Sequence, residues 1–517
     1  MRPAELLQFY TRDPRAGGLR GALKTQGTKV EMHGAVGSAI PLAIAGMLSH
    51  EDELANPRHH VFVLDDKEQA AYFMNDLQSV LGDARPILFY PRSARVPYAD
   101  EATVENANIA MRAEVLNEIN GGRDGLIVVT FPEALAEQVI TRKELSDQTF
   151  TISLGETYTM DFLDEVLLAY EFEKVDFVYE PGQYSMRGGI VDIFSYSFDH
   201  PYRIEFFGDD VDSIRKFDPT SQLSVAKMTR ATVVPNVGNT SLHDAHEPFF
   251  SFLPPSAVMW MADAKRCEMG LDKAMERARS HYDRLGGEVK RTPPEDLYLE
   301  GTHLEGLLDP FSVVEFGGGT TWPNRLILKY GMTAQPAFNK QFDLIASNLR
   351  SNHKNGYVNV VVSGQATQLE RLHDVFHDRQ EENEEPVPYK PIPMEFSEGF
   401  VDKELKVLVY TDHQLFERYH RFRLKEGFRK NKEALTIKEL MALEVGDYVV
   451  HIDHGIGEFS GLHKIEVNGK MQEAIRLTYR GGDVLYVSIH SLHRISKYSS
   501  KEGTPVSYTH LTLPTKA

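Results

Sequence analysis

The sequence has little cysteine and no long apolar run, and both absences narrow the kind of protein that it can encode. Among 517 residues there is one cysteine, Cys267, which excludes a disulfide framework within the chain and fits a reducing compartment. No apolar stretch reaches the length of a membrane-spanning helix, and the first residues have no apolar segment typical of secretory signals. We therefore expect a cytoplasmic protein with no membrane partner.

Basic residues are also fewer than acidic residues. The 56 lysines and arginines are outnumbered by 75 aspartates and glutamates, so the formal net charge is −19 at pH 7. A chain with this balance does not coat nucleic acid over its whole surface. Any contact with DNA would have to come from a local basic segment, such as residues 418–433. A solvated linker explains that segment at least as well, and we predict a basic linker over residues 418–439.

The chain is too long for one hydrophobic core, and its apolar pattern divides it into several domains. Residues 1–150 alternate strand-like apolar runs with helix-like stretches, which predicts an α/β domain with helices on both faces of a parallel sheet. A helix and several short strands predict a small α+β insert over residues 151–235. The remaining predicted parts are the second part of the α/β domain, a further small αβ domain and a small β-barrel, over residues 236–345, 346–417 and 440–500.

A degenerate nucleotide-binding loop follows the first predicted strand. The pattern G-x-x-x-x-G-K-[ST] between a strand and a helix is typical of loops that hold nucleotide phosphates. The corresponding positions here are Gly34, Gly37, Ser38, Ala39, Ile40 and Pro41. Ala39 replaces the glycine that lets backbone approach phosphate, Ile40 replaces the phosphate-binding lysine, and Pro41 replaces the hydroxyl that binds magnesium. We therefore predict no catalytic residue and no ATP or magnesium cofactor in this chain. A simple turn before a helix explains the six residues taken alone, but their context favours a relict loop.

Two other patterns that could carry chemistry have simpler explanations. The Asp164-Glu165 pair resembles the acidic pair of ATPases, but helical spacing places it on an amphipathic helix instead of at the end of a strand. Histidine pairs at positions 451/454 and 490/493 have no cysteine nearby, and their spacing on strands points paired side chains to different faces. We predict no metal site and interpret these histidines as turn and core residues.

One predicted strand of the insert carries an aromatic residue beside arginine. Period-two alternation places Arg203, Glu205 and Phe207 on one face and Ile204 and Phe206 on the other. If the second face packs on the core, Phe207 is an exposed ring near a guanidinium group, which is a composition typical of the energetic centres of protein interfaces. The alternative is a two-sided core in which Phe207 is buried and the arginines form ordinary surface ion pairs.

The stretches 184–194 and 201–218 resemble the insert that UvrB shares with the bacterial transcription-repair coupling factors. The resemblance extends to about residue 503, because the degenerate loop, the insert and the C-terminal module follow one another in the family's order. It implies that the insert binds the repair ATPase UvrA, with Arg187, Arg203 and Phe207 at the matching positions. We expect the double change Arg203→Ala and Phe207→Ala to abolish UvrA binding and to leave the fold intact.

The predicted barrel resembles the RNA-polymerase-interacting domain of the same family, which is also found in CarD-type regulators. The residues that carry this resemblance are Gly446–Leu462 and Leu477–Ser496. It implies a contact with the β subunit of RNA polymerase through an exposed strand edge, and the matching contact positions are Lys464 and Ile465. Edge addition supplies backbone hydrogen bonds, and an apolar side chain supplies specificity.

The family resemblance also implies a part that we expect this chain to lack. Coupling factors continue into a superfamily-2, helicase-like translocase motor, which uses ATP and magnesium and makes most of the contact with double-stranded DNA. Residues 504–517 look like translated adapter sequence, and we exclude them from the fold. The sequence thus predicts an adaptor that binds RNA polymerase stalled at DNA damage and recruits UvrA for nucleotide-excision repair. The alternatives are a UvrB-like damage-loading ATPase and a CarD-like transcription regulator.

Overall fold

A computed structural model places most of the chain in α/β and antiparallel β structure. Its contacts divide into two units, one of residues 1–147 with 237–425 and the other of residues 148–236 with 426–517. The predicted basic linker, the histidine pair 490/493 and the tail 504–517 lie outside the described residues. The described residues are 1–82, 85–93, 98, 106–196, 200–219, 221–237, 245–284, 292–318, 322–336, 338, 340–378, 386–416, 443, 445–451, 454–467, 470–480, 482–488 and 495–497.

The first part of the chain alternates strands with helices. Local signals set the helix starts: proline opens the first two helices, and the Asp66 carboxylate caps the fifth by accepting the backbone N–H of Gln69. In chain order the elements are α1 (Pro3–Thr11), α2 (Pro14–Leu23), β1 (Lys29–His33), α3 (Ala39–Leu48), α4 (Glu51–Ala55), β2 (His60–Val63), α5 (Lys67–Leu81), β3 (Ile87–Phe89), α6 (Asn106–Asn120), β4 (Ile127–Thr130), α7 (Pro132–Leu135), β5 (Val139–Ile140) and α8 (Arg142–Gln148).

The insert is a six-stranded sheet with one helix. Its elements are β6 (Phe150–Ser153), α9 (Met160–Ala169), β7 (Glu173–Lys174), β8 (Gln183–Arg187), β9 (Ile190–Ile193), β10 (Tyr202–Phe207), β11 (Asp210–Phe217), β12 (Ser224–Met228) and β13 (Arg230–Val233). The strand order is β12-β11-β10-β9-β8-β7, antiparallel except between β7 and β8, and β6 pairs with β13. Helix α9 begins where the Thr159 hydroxyl accepts the N–H of Phe162, and it buries Leu163 and Leu167.

After the insert the chain returns to the first sheet. The elements there are β14 (His246–Glu247), β15 (Val258–Met261), α10 (Ala264–Arg284), α11 (Pro294–Leu297), α12 (Leu304–Leu308), β16 (Ser312–Glu315) and β17 (Leu326–Lys329). Seven strands form one parallel sheet in the order β17-β1-β16-β15-β2-β4-β3. Because β15 and β16 lie between β1 and β2, the segments before and after the insert share one core. The Trp260 indole N–H donates to His60 Nδ1 at 3.0 Å inside it, and burial holds the pKa of His60 well below its usual value.

A second, smaller sheet follows. Its elements are β18 (Met332–Ala334), α13 (Phe342–Lys354), β19 (Val358–Val362), α14 (Ala366–Asp378), β20 (Lys390–Ile392), β21 (Phe400–Asp402), β22 (Val407–Thr411) and α15 (Asp412–Leu415). The strand order is β18-β21-β22-β19-β20, with β19 parallel to β20 and β22. The domain boundary predicted at residue 345 falls inside α13. Since β18 already pairs with β21 of this sheet, the boundary lies before Met332.

The C-terminal module is an antiparallel sheet of short strands. Its elements are β23 (Tyr448–His451), β24 (Gly455–Val467), β25 (Lys470–Thr478), β26 (Val484–Ser488) and β27 (Ile495–Lys497), in the order β26-β25-β24-β23-β27. Val449, Phe459 and Leu477 lie in its core. The pairing of the described strands ends at β26 and β27, so closure into a barrel stays a prediction. In the described part of the chain, no helix combines the length and apolarity needed to cross a membrane.

Candidate partner-binding sites

The tip of the β10–β11 hairpin presents Phe207 to solvent. The two strands are joined by Gly208 and Asp209, and Gly208 has a φ of +65°, which side chains with a Cβ rarely adopt. Phe207 lies opposite Asp210, and 84% of its surface is exposed. Ile204 points to the other face and is fully buried. The alternative of a two-sided core that buries Phe207 is therefore wrong.

A buried carboxylate of the same sheet holds both predicted arginines. Asp192 lies on β9, between β8 and β10, and its side chain is fully buried. Arg203 donates from Nε to Oδ1 at 2.7 Å and from Nη2 to Oδ2 at 2.8 Å. Arg187 donates from Nη2 to Oδ2 at 2.6 Å. The two guanidinium groups therefore neutralise one buried charge, and that charge fixes their positions.

Aromatic rings hold the same two arginines from their other side. The guanidinium of Arg203 lies 4.4 Å from the centroid of the Phe217 ring, and that of Arg187 lies 4.6 Å from the Phe177 ring. Only 19% of the Arg203 side chain is exposed. Replacing Arg203 by alanine would leave the Asp192 carboxylate without its two-point partner, so the expectation that this change spares the fold is revised.

Polar residues fill the surface between Arg203 and Phe207. Glu205 forms an ion pair with Arg215, and its other carboxylate oxygen accepts the Ser213 hydroxyl at 2.7 Å. The resulting face has one large exposed ring beside paired charges. An apolar centre with a polar border is the arrangement of protein–protein interfaces.

The predicted polymerase-contact positions lie in the second half of β24. Lys464 and Ile465 are opposite Glu473 and Gln472 of β25. On its other side β24 pairs with β23 only over residues 455–458. Among the described strands, none pairs with that side of β24 at positions 464 and 465. Within the residues that the structure describes, this half of the strand therefore presents an unpaired backbone edge, which strand addition requires.

The strand, loop and helix around the degenerate nucleotide-binding loop are present. The loop runs from the end of β1 to α3, with positive φ at Gly34 and Gly37. Ala39 and Pro41 are buried in the core of the first sheet, where they pack as apolar residues. The Ser38 hydroxyl donates to Asp76 Oδ2 at 2.5 Å and is therefore held inside the protein.

Comparison with known proteins identifies the two modules. Residues 150–238 match the UvrB interaction domain, and residues 443–499 match the CarD-like/TRCF RID domain. A transcription-repair-coupling factor of Bacillus subtilis (strain 168) is 25% identical over 509 residues, which cover 84% of this chain and 42% of that protein. That of Myxococcus xanthus is 25% identical over 550 residues, covering 86% of this chain and 44% of its own.

The chain is similar over most of its length to transcription-repair-coupling factors. It spans less than half the length of the two curated relatives described here. The resemblance given by the sequence is thereby confirmed. Phe207 falls within the UvrB interaction domain, and Ile465 falls within the CarD-like module.

The first sheet also ends in a carboxylate that the sequence patterns did not single out. Asp263 follows β15, an apolar and fully buried strand of the first sheet, so it stands where ATPases place a magnesium-binding acid. Its Oδ1 accepts the N–H of Arg266 at 2.9 Å and caps α10. The signal in the sequence is the apolar run that ends in Ala262 and Asp263.

The Asp164-Glu165 pair lies on α9, as helical spacing predicts. Asp164 accepts hydrogen bonds from Lys174 at 2.8 Å and from the Tyr184 hydroxyl at 2.7 Å, and these bonds lower the pKa of Asp164. The His451 and His454 rings lie 4.8 Å apart, so the expectation that the side chains of this pair point to different faces is wrong. Within the described ranges, no group of three or more His, Cys, Asp or Glu residues could hold a metal ion.

Proposed function

We propose that this chain is the adaptor part of a transcription-repair coupling factor. It binds RNA polymerase stalled at DNA damage and recruits UvrA for nucleotide-excision repair. The exposed Phe207 ring on the insert carries the proposal, because strand alternation puts it on the same face of β10 as Arg203, whose guanidinium is fixed by Asp192. The presence of the insert and the CarD-like module in one chain supports the proposal, because the chain then has one surface for UvrA and another for RNA polymerase.

The proposed UvrA surface consists of Phe207, Arg187 and Arg203. The arginines are held in place before binding by Asp192 and by aromatic rings, so little side-chain entropy remains to be lost on association. Phe207 supplies the apolar area. Truncating a central aromatic residue of an interface costs about 2–4 kcal/mol of binding free energy.

The surface for the β subunit of RNA polymerase is the open edge of β24 at Lys464 and Ile465. Backbone N–H and C=O groups on this edge would pair with a strand of the partner, and the apolar residue at position 465 would select that strand. The two surfaces belong to different modules, so each should be removable without loss of the other.

ATP hydrolysis is not assigned to this chain. Ala39, Ile40 and Pro41 lack the groups that bind phosphate and magnesium, and two of them are buried. We assign ATP, magnesium and most of the contact with double-stranded DNA to the translocase motor that the family resemblance implies. The replacement of these groups also distinguishes the proposed adaptor from a UvrB-like damage-loading ATPase.

Binding of the full chain to immobilised UvrA tests the proposal. We expect Phe207→Ala to raise the Kd at least about thirtyfold, which corresponds to about 2 kcal/mol. The matched control is Leu168→Ala, an exposed apolar residue on α9 of the same insert, which should leave the Kd within about twofold. Equal affinity of the Phe207→Ala protein and the unaltered chain would overturn the assignment.

A further inference from the structure

The degenerate loop contacts a segment of its own chain that comes from the second sheet. The connection between β20 and β21 brings Ser397 to α5, where its backbone N–H donates to Asp76 Oδ1 at 2.8 Å and its hydroxyl donates to Oδ2 at 2.6 Å. The next residue, Glu398, donates its backbone N–H to the Ser38 hydroxyl oxygen at 2.9 Å. Ser38 in turn donates to Asp76, so these hydrogen bonds form one connected network.

The two side chains of the first sheet in this contact are buried, which makes the contact specific. Ser38 is fully buried and Asp76 is 1% exposed. Both carboxylate oxygens are used, one by the Ser397 amide and the other by two hydroxyl groups. A buried carboxylate that loses its donors pays the full cost of desolvation, so Asp76 strongly favours the arrangement with Ser397 in place.

Glu398 also occupies the room that the loop leaves. A Cβ built on Gly37 would lie 2.8 Å from Glu398 Oε2, and Gly37 has a φ of +51°. Gly37 stands at a variable position within the nucleotide-loop pattern, between the positions of the two pattern glycines. Here the room is taken by a residue of the second sheet.

We propose that the degenerate loop is a docking site for the Ser397–Glu398 segment and latches the second sheet onto the first. The loop thus retains a binding role, with a segment of this chain as its ligand in place of a nucleotide. The strand, loop and helix lack the residues that bind nucleotide, but they still position the loop that binds this segment.

Further contacts lie along the same junction. Arg15 on α2 forms ion pairs with Asp402 and Glu404 of the second sheet, each at 2.9 Å. The Tyr10 and Phe400 rings meet edge to face at 6.5 Å. These contacts would still hold the two sheets together if the hydrogen bonds of Ser38 or Ser397 were removed. A test of the latch must therefore measure residues 38, 397 or 398 directly.

Catalysis does not explain the cluster. Ser397 donates its hydroxyl proton to Asp76, and His413 Nε2 bonds to the Ser397 carbonyl oxygen at 2.8 Å. A nucleophilic serine would instead share its proton with the histidine. The arrangement therefore positions backbone and does not activate a hydroxyl group.

Cross-linking tests whether the latch is closed in solution. The hydroxyl oxygens of Ser38 and Ser397 lie 3.2 Å apart, and the one other cysteine, Cys267, is buried. In the full chain carrying Ser38→Cys and Ser397→Cys, mild oxidation should link positions 38 and 397, as seen by peptide mapping without reductant. Each single variant should form no internal link. A folded double variant that forms none would overturn the proposal.

Hydrogen exchange of the Ser38→Ala protein tests whether Ser38 protects the Glu398 amide. Loss of the acceptor should speed exchange of the Glu398 amide at least about tenfold, with protection in β1 and β2 unchanged. The matched control is Ser312→Ala, a buried serine of the first sheet whose hydroxyl donates to the Thr25 carbonyl oxygen at 3.3 Å. It should leave Glu398 exchange unaltered. Equal Glu398 protection in the Ser38→Ala protein and in the unaltered chain would contradict the latch.

Discussion

Arg203 and Asp192 form a two-point ion pair in which the carboxylate is fully buried and the guanidinium is mostly covered. Arg203 is also part of the surface that we assign to UvrA. One residue can therefore affect both binding and folding, and experiments on this surface have to separate the two effects.

We expect Arg203→Ala to lower the free energy of unfolding by about 2–3 kcal/mol. Arg187 still pairs with Asp192 in that variant, which keeps the loss below that of a fully unpaired buried charge. Urea unfolding measures the change, and Phe207→Ala serves as the control because its exposed ring supports no core. An Arg203→Ala protein as stable as the unaltered chain would show that the buried pair is dispensable.

Ile465→Asp should abolish binding to the β subunit of RNA polymerase and leave UvrA binding intact. The change puts a charge where a partner strand would add to β24. Surface plasmon resonance with each partner measures both affinities. Tyr486→Ala, on β26 of the same sheet, is the control and should retain polymerase binding. If Ile465→Asp binds polymerase as well as the unaltered chain does, the contact lies elsewhere in the module.

The stability of the first unit should depend on the protonation of Asp76. Burial raises the pKa of this carboxyl from 3.8 to about 7, against the opposing hydrogen bonds from Ser38 and Ser397. The folded chain therefore holds a proton that the unfolded chain releases between about pH 4 and 7. Its contribution to the free energy of unfolding falls as pH rises through this window, by at most about 1.4 kcal/mol per pH unit.

Asp76→Asn removes this titrating group, so the difference in unfolding free energy between the variant and the unaltered chain should change with pH over the same window. Urea titrations at pH 5, 6 and 7 measure it. A difference that is constant over this range would show that Asp76 keeps an ordinary pKa in the folded protein.

Restoring the nucleotide motif should not restore ATP binding. In the triple variant Ala39→Gly, Ile40→Lys and Pro41→Thr, Glu398 still occupies the room beside Gly37. Isothermal titration with ATP and magnesium should show no saturable binding, and phosphate release should stay at background. Binding with a Kd in the micromolar range would show that the loop lacks only these three side chains.

The sequence predicted those features that depend on local pattern. The alternation in β10 predicted that Phe207 and Ile204 face opposite sides, and the Thr159 cap predicted the start of α9. Strand alternation and helix capping depend only on residues a few positions apart, so the sequence alone can predict them.

Features that depend on distant partners could not be predicted. Asp192 holds two arginines because β9 lies between β8 and β10, an order that no single strand encodes. Ser397 reaches Asp76 across 321 positions of sequence. The boundary at residue 345 was misplaced because β18 has only three residues, and its pairing with β21 alone assigns it to the second sheet.

The central claim is that one chain docks two partners through two separate modules. The most direct measurement is capture of UvrA on immobilised RNA polymerase in the presence of the chain. The account predicts that UvrA is retained with the unaltered chain and lost with either Phe207→Ala or Ile465→Asp. Retention of UvrA by both variants, or none with the unaltered chain, would contradict the account.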